Sequence, residues 1–417
     1  MATNPKAIDG NIYIAIDPGY NATKVCVNGL LFSIPASIVD ITGKLQNYIT
    51  EKAEGYILSR YVKGKDYLIG EHARALLMEP DVQEIMNQKS GMLESYEKFE
   101  TEESQINILT AIGMALIKYE EACKRDNLLP EIDLSQPIDN NSSVTLYVGI
   151  ALPNDAASKI WTSVHPRIVG HHQFEIETNT GVHNLDFTIY DENCGAGSQV
   201  EEAFMGYIMD DGGYALKERM DAMLPALIID GGYKTIADMK YMGIGMIVGA
   251  ESNTEFAMGN IYKKVADELH EKYGRADIHA YNIGMLNRDE LAERAAAEDE
   301  IAEELKKPVE INYIDGDEVK SVDMRALIEA ETDDTFNAYV EYLNEKYNKL
   351  LEIKSILVCG GTGKRYYERL CEYIDNHRQN LKGKVLLADY EFLGEKIQPV
   401  YAICIGMYKH LKCLKKS

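Results

Sequence analysis

The sequence has no hydrophobic run long enough to cross a membrane. A transmembrane helix needs about 18 or more consecutive apolar residues, and none of the 417 positions begins such a run. Residues 1–11 also lack the basic region and the apolar run of a secretory signal peptide. These two absences predict a cytoplasmic protein that has no membrane partner.

Cysteine is sparse and is never paired at short spacing. The seven cysteines lie far apart and form no Cys-x-x-Cys motif, which is typical of a reducing compartment and gives no structural zinc site. His165, His171 and His172 have no cysteine or acidic residue at the spacing of metal ligands. We therefore interpret these histidines as part of a polar loop.

Positive charge is scarce as well. The chain has 43 Lys and Arg against 67 Asp and Glu, which gives a net charge of -24. Such a balance argues against direct nucleic-acid binding over most of the surface, and we interpret Lys412, Lys415 and Lys416 as a solvated basic tail. A hydrophobic fraction of 46% over 417 residues is ordinary for a globular chain of two or more domains.

The most informative stretch lies close to the N-terminus. An apolar run at 12–16 is followed at once by Asp17, by a turn containing Gly19, and by Lys24. A carboxylate at the end of a strand and the backbone N–H groups of a glycine turn can together hold a metal-bound phosphate. One Asp-x-Gly turn is weak support, because Asp and Gly close many hairpins for conformational reasons alone.

The same pattern recurs in the second half of the chain. The segment 227–235 again has an apolar strand, followed by Asp230, Gly231 and Gly232. A third glycine-rich turn, at 360–363, follows another apolar strand and precedes a helical pattern. A repeat of this kind predicts two related halves.

Together the three segments resemble the nucleotide-binding signature of the actin superfamily, in which two phosphate loops each carry an Asp and a late glycine-rich loop binds adenosine. The separation of Asp17 and Lys24 equals that of the Asp and Lys in the first actin phosphate loop. The Asp-x-Gly-Tyr sequence that ends at Tyr20 looks most like the plasmid-segregation actins of the ParM type. The resemblance covers most of the chain.

The resemblance implies an α/β fold: actin-like, duplicated ribonuclease-H-like domains that flank a nucleotide cleft. The first domain is expected at 1–224, with the helix at 396–417 returning to it, and the second at 225–395.

The sequence also predicts where several helices begin and where one of them packs closely. Thr101 is a good N-cap, and the helix after it resembles the first connecting helix between the domains, although an ordinary core helix fits equally well. Gly406 in the last helix costs about 1 kcal/mol relative to Ala, and the resemblance implies that this helix crosses the first connecting helix closely. Thr254 is predicted to cap a further helix, and Asn287 with Glu290 resembles a capping box.

The resemblance also implies the ligands. Asp17 and Asp230 are expected to hold Mg²⁺ largely through water, at the phosphates of ATP or, as an alternative, GTP. Lys24 adds positive charge, and the third turn faces the nucleoside. The expected nucleotide-binding residues are Gly19, Tyr20, Asn21, Thr23, Lys24, Gly231, Gly232, Tyr233, Lys234, Thr235, Gly360, Gly361, Thr362 and Gly363.

Hydrolysis needs a polar group that orients the attacking water. Actin-type proteins place Gln or Glu at the start of the helix before the second phosphate loop, so Gln199 is expected to have this role, with Glu201 as the alternative. The second loop departs from the ParM-type pattern, because Ala237 stands where a further Asp is usual and Asp238 follows it. Whether Asp238 takes part in metal binding stays open.

The function implied by the resemblance is an ATPase that polymerises into cytoskeletal filaments and segregates plasmid DNA in the bacterial cytoplasm. The acidic balance favours a DNA-binding adaptor protein over direct contact with DNA. A non-polymerising small-molecule kinase of the same fold is an alternative, as is a cell-shape actin of the MreB type, because the fold alone does not decide between them. The sequence offers neither a sugar pocket nor an amphipathic membrane-anchoring helix.

Overall fold

The computed structural model of the chain describes residues 10–43, 52–77, 99–126, 128, 130–154, 156–243, 246–273, 283, 310–315 and 318–414. In the first half the strands and helices are β1 (Asn11–Pro18), β2 (Ala22–Val27), β3 (Leu30–Pro35), β4 (Ile38–Asp40), β5 (Ile57–Ser59), β6 (Tyr67–Ile69), α1 (Glu71–Leu76), α2 (Glu102–Asp126), β7 (Thr145–Leu152), α3 (Ala157–Ile168), β8 (Gly170–Thr178), β9 (Gly181–Ile189), β10 (Cys194–Ser198), α4 (Gln199–Ile208) and α5 (Lys217–Met223).

In the second half they are β11 (Ala226–Gly231), β12 (Ile236–Gly243), β13 (Met246–Asn253), α6 (Met258–Tyr273), β14 (Glu310–Asp315), β15 (Glu318–Asp323), α7 (Arg325–Lys346), β16 (Ser355–Cys359), α8 (Gly361–His377), β17 (Val385–Leu387), β18 (Glu391–Phe392), β19 (Glu395–Lys396) and α9 (Ala402–Leu414).

Two five-stranded sheets share one topology. Their strand orders are β10-β7-β1-β2-β3 and β13-β12-β11-β16-β17. Each has three successive antiparallel strands, and two later strands run parallel to the first of these. A further five-stranded sheet, β4-β6-β5-β8-β9, is antiparallel throughout. The repeat seen in the sequence is therefore a duplication of a whole sheet.

Strand β1 is covered by helices on both faces. Ile12, Ile14 and Ile16 pack in the core that includes α2, whereas Tyr13 and Ala15 pack with α9. Successive side chains of a strand point to opposite faces of its sheet, so the near-continuous apolar run is what a doubly covered strand requires.

Strand β11 repeats this arrangement. Leu227 and Ile229 pack in the core formed with α6, α7 and α8, while Ala226 and Ile228 pack with α4. Helix α4 thus lies on the second sheet and α9 on the first, and the two helices pack directly against each other. This pair of helices connects the two sheets.

Several predicted features are confirmed. The hydroxyl of Thr101 accepts a hydrogen bond from the backbone N–H of Ser104 (3.1 Å) and so caps α2. The sequence also has Phe336, Tyr339 and Leu343 at the three- and four-residue spacing of one helix face, and these side chains of α7 are buried in the core.

Two helix predictions were wrong. Thr254 does not cap a helix, because β13 extends to Asn253 and α6 begins only at Met258. The helix that Gly406 approaches is α4, whereas α2 packs within the first core and against β1 and β2. A small residue in a helix predicts a close helix crossing, but it does not identify the partner.

The predicted capping box of Asn287 and Glu290 falls outside the described residues. Helices α3 and α5 were not predicted from the sequence. In the portion of the chain that the structure describes, no helix combines the length and apolar character needed to span a bilayer.

Candidate functional site

The first part of the site is the carboxyl end of β1. Asp17 pairs with Lys24 across the β1–β2 hairpin, and the Lys24 Nζ lies 3.3 Å from Asp17 Oδ2. Only 2% of Asp17 is exposed. Gly19 closes the turn, where a Cβ atom would lie 2.8 Å from the Ala22 carbonyl oxygen and 2.9 Å from Lys24 Nζ. Only glycine fits between these groups without displacing them.

Gln199 joins this cluster from the first turn of α4. Its Nε2 donates a hydrogen bond to Asp17 Oδ1 at 2.7 Å, so Asp17 is contacted by both Lys24 and Gln199. Glu201 lies two positions further along the helix, and such residues point to nearly opposite sides. Burial, followed by the negative charge of Glu202, raises the pKa of Glu201. The structure therefore brings Gln199, rather than Glu201, to Asp17.

Asp230 is the corresponding carboxylate at the end of β11. Its burial, together with the negative charge of Asp17, raises the pKa of Asp230 to about 6. The Cys359 thiol donates a long hydrogen bond of 3.6 Å to Asp230 Oδ1. Burial alone would lower the pKa of Lys24, but Asp17 and Asp230 together hold it above its ordinary value. The two carboxylates and Lys24 thus form one electrostatic cluster between the sheets.

The third glycine turn packs backbone against backbone on the second. Gly360 has a φ of +78°, and a Cβ atom there would lie 2.4 Å from the Gly231 carbonyl oxygen and 2.7 Å from Asp230 Oδ1. A Cβ atom on Gly231 would lie 2.1 Å from the Gly363 nitrogen. The Thr362 hydroxyl donates to the Gly232 carbonyl oxygen at 2.5 Å. The second and third glycine-rich segments therefore meet at Asp230, and the first is linked to it through the charges of Asp17 and Lys24.

Helix α8 begins at Gly361, so the predicted third loop is in fact a one-residue turn followed by a helix. A Cβ atom added to Gly361 would have no described atom within 4 Å. This glycine consequently faces open space beside the crowded Gly231 and Gly360.

The remaining predicted site residues differ in their contacts: some lie at the loops, and others pack into the protein. The Lys234 ammonium lies 5.0 Å from the centre of the Tyr20 ring and so links the two loops. Asn21 Oδ1 is buried, and no described residue donates a hydrogen bond to it. By contrast, the Thr23 hydroxyl donates to Asn107 Oδ1 of α2 at 3.5 Å, and Thr23 is buried.

In the second loop, the Tyr233 and Tyr262 ring centres lie 6.1 Å apart. The carbonyl oxygen of Thr235 accepts a hydrogen bond of 2.9 Å from the Gly232 N–H and closes the turn. Tyr233 and Thr235 therefore make contacts within the protein that shape the second loop.

Asp238 belongs to a different cluster. Strand pairing places Ala237 opposite Asp230, so Asp238 points to the other face of β12. There it is fully buried, and it accepts hydrogen bonds from Lys346 Nζ (2.8 Å) and from the Tyr347 hydroxyl. The contacts of Asp238 are therefore with α7.

Sequence reasoning missed Asn154. Its Oδ1 accepts hydrogen bonds from the Val200 backbone N–H (3.1 Å) and from the Ser198 hydroxyl. The signal that could have identified it is its position just after β7, because ligands of α/β sheets bind at the carboxyl ends of strands.

No protein-family model and no curated protein matches the chain, but solved structures resemble it over nearly its whole length. The actin-like protein Alp7A shares 14% identity at a TM-score of 0.64, with 97% of each chain covered. A ParM from a 15-stranded filament of Clostridium botulinum shares 15% identity at a TM-score of 0.61, covering 98% of this chain and 100% of the other. The archaeal actin homologue Ta0583 in complex with ADP shares 13% identity at a TM-score of 0.54, covering 97% of this chain and 100% of that one.

These similarities over nearly the whole chain agree with its duplicated sheets. The resemblance inferred from the glycine turns is confirmed at the level of the fold. The chain has the actin-like α/β fold, as do ParM, Alp7A and the archaeal actin homologue.

Proposed function

We propose that the chain is a Mg²⁺-dependent ATPase that assembles into filaments and segregates plasmid DNA in the bacterial cytoplasm. One observation carries this proposal: the 2.7 Å contact between Gln199 and Asp17 joins the expected water-orienting residue to the expected metal residue. The fold by itself does not decide the function, because kinases and chaperones share it.

The nucleotide would bind at the glycine turns. Tight turns of the kind found at Gly19 and Gly232 bring successive backbone N–H groups together, which suits them to phosphate. Lys24 would add positive charge beside the first turn, and Lys234 would add it beside the second. The open space at Gly361 leaves room for a nucleoside beside the second turn, and ATP is preferred over GTP on the resemblance to actins.

The carboxylates fit a hard divalent cation. Burial and then the negative charge of Asp17 raise the pKa of Asp230, and a bound Mg²⁺ would favour the charged form of both carboxylates. No group of three His, Cys, Asp or Glu lies together in the described part of the chain. Water and phosphate oxygens would then complete the coordination shell, as is usual for Mg²⁺. When bound, the ion would neutralise charge on the phosphates.

Gln199 would orient the water that attacks the γ-phosphate. Its amide has both a donor and an acceptor, and the donor already contacts Asp17 in this structure. Positioning and electrostatic stabilisation supply most of the catalysis in phosphoryl transfer. One well-placed amide can therefore control the rate.

Assembly is proposed by analogy with similar structures that were solved as filaments, a 15-stranded ParM filament and an Alp12 filament. The net charge of -24 makes direct binding to DNA unfavourable. A DNA-binding adaptor protein is therefore the expected link between the filament and the plasmid. The partners are thus further copies of this chain and that adaptor.

The test is to follow phosphate release and light scattering together, with ATP, GTP, ADP or no nucleotide, and to examine pellets by negative-stain microscopy. We expect triphosphate-dependent filaments and phosphate release that EDTA abolishes. Turnover of ATP without assembly at any protein concentration would favour the small-molecule kinase. Absence of both activities would refute the proposal.

A further inference from the structure

Asn154 occupies the point where three strand ends meet. It follows β7, which lies between β10 and β1 in the first sheet. The register pairs Ser198 with Leu152 and Ile16 with Ile150. The first residues after β7 therefore lie between the end of β10, which leads into Gln199, and the end of β1, which carries Asp17.

The side chain of Asn154 holds both neighbours of Gln199. Its Oδ1 accepts a hydrogen bond from the N–H of Val200 (3.1 Å) and another from the hydroxyl of Ser198. The first N–H groups of a helix have no partner within the helix. Ser198 occupies the N-cap position but makes no capping bond of its own. Asn154 thus caps α4 from the turn that follows β7 and fixes the backbone on each side of Gln199.

The amide of Asn154 also has an unused donor. Its Nδ2 is buried, and no described residue accepts a hydrogen bond from it. Buried donors without a partner are rare, and each one requires an explanation. A serine or threonine would supply a capping oxygen with no amide donor. The contacts that hold the start of α4 are the two bonds accepted by Oδ1, and an aspartate at this place would keep them.

We propose that Asn154 is a positioning residue for hydrolysis, which holds the start of α4 so that Gln199 meets Asp17. This inference rests on the proposed ATPase function. Asn154 acts through Gln199, and the binding of the nucleotide remains with the glycine turns and the two aspartates. A displacement of about 1 Å in a catalytic group can reduce a rate about 10²-fold.

The central experiment compares Asn154→Ala with Asn154→Asp in the full chain. Single-turnover phosphate release should fall about 10–100-fold in the alanine variant, while the dissociation constant for ATP with Mg²⁺ stays within about threefold of wild type. Aspartate retains the oxygen that accepts from Ser198 and Val200, so it should restore most of the rate. An alanine variant with the wild-type rate, or an aspartate variant as slow as alanine, would overturn the inference.

Thr101→Ala is the matched control, because Thr101 caps α2 through the Ser104 N–H far along the chain from this site. Both alanine variants should melt a few degrees lower, but only Asn154→Ala should lose phosphate release. Equal losses of rate in the two variants would show a purely structural role. Should Asn154→Ala fail to fold, Ser198→Ala removes only the hydroxyl bond and should still reduce the rate.

Hydrogen exchange tests the same inference without any ATPase assay. The Val200 amide should exchange faster in Asn154→Ala than in wild type, and the Ser104 amide should be unchanged. Unaltered exchange at Val200 would refute the positioning role. If wild-type protein releases no phosphate at all, the proposed function fails instead, and the two failures are thereby separated.

Discussion

Gly406 lies in direct contact with the backbone of Glu202. A Cβ atom added to Gly406 would stand 1.7 Å from the Glu202 carbonyl oxygen and 3.0 Å from the Gly206 nitrogen. A Cβ atom on Gly206 would likewise lie 3.0 Å from the Ala402 carbonyl oxygen. Helices α4 and α9 therefore cross with their backbones touching, and this crossing connects the two duplicated sheets.

Gly406→Ala should consequently destabilise the protein, because a methyl group there would push against backbone that cannot rotate away. Enlargement of a well-packed site costs roughly 1–3 kcal/mol, and a backbone clash places this variant at the upper end. Gly195→Ala is the matched control, since its Cβ atom would have no described atom within 4 Å. Urea unfolding of both variants measures the effect, and equal free energies of unfolding would contradict it.

Local sequence was sufficient to predict the two hairpins and the turns that carry the aspartates. The runs that end in Asp17 and Asp230 each specify a strand, a glycine turn and a second strand, and nearest neighbours in sequence supply most of these contacts. The burial of both runs follows from their apolar composition. The repeat of this local pattern predicted two related halves, and the fold class followed from its resemblance to the phosphate loops of the actin superfamily.

Long-range partners could not be predicted in the same way. The sequence shows that Gly406 allows a close approach, but the approaching helix is set by packing on both sheets. The register of β12 decides that Ala237, and not Asp238, lies opposite Asp230. Asn154 acts through residues 44 and 46 positions away, and no local pattern indicates such a contact.

His410 should make the crossing of α4 and α9 sensitive to pH. Its Nδ1 lies 2.8 Å from Glu202 Oε1, and this hydrogen bond raises the pKa of His410 against the opposing effect of burial. A raised pKa contributes stability that is complete below the unfolded value of about 6.5. That contribution is lost as the pH rises through the pKa of His410 in the folded protein.

Wild type and His410→Gln should therefore differ more in free energy of unfolding at about pH 6, where His410 is charged, than at about pH 9. His171→Gln serves as a control, because His171 forms an exposed pair with Asp186, and such pairs contribute little to stability. A difference that does not change with pH would show that the histidine is not charged in its contact with Glu202.

On the proposed function, Asp17→Ala and Asp230→Ala should each weaken the Mg²⁺-dependent part of ATP binding, because each removes one of the two carboxylates that would face the cation. Losses of about 10–100-fold are usual when a group that orients a metal is removed. Calorimetry with ATP in Mg²⁺ and in EDTA separates the metal-dependent part from the rest. Unchanged Mg²⁺ dependence in both variants would show that these residues are not the metal site.

Asp238→Asn should leave nucleotide binding unchanged and lower stability instead. Burial raises the pKa of Asp238 while Lys346 and Tyr347 act in the opposite direction, and loss of the charge would leave Lys346 without its buried counterion. Removal of one partner from a buried pair typically costs about 3–5 kcal/mol. Thermal melting and ATP titration together test this prediction, and a loss of affinity with wild-type stability would assign Asp238 to the site.

Gln199→Ala should separate assembly from hydrolysis. ATP binding should be retained, because the proposed function assigns it to Asp17, Asp230 and the glycine turns, and the variant should still form filaments. Phosphate release should fall about 10²–10⁴-fold, since one positioned polar group near the reacting atoms commonly contributes this much. The filaments should then persist, because the conversion of ATP to ADP that would loosen subunit contacts no longer occurs.

Simultaneous light scattering and phosphate release measure both effects, and Glu201→Gln is the control on the opposite side of the same helix turn. Wild-type hydrolysis in Gln199→Ala together with a loss of rate in Glu201→Gln would transfer the water-orienting role to Glu201. The 2.7 Å bond from Gln199 to Asp17 argues for the reverse result. It places the glutamine amide, and not the Glu201 carboxylate, beside the cluster that is expected to hold the phosphates.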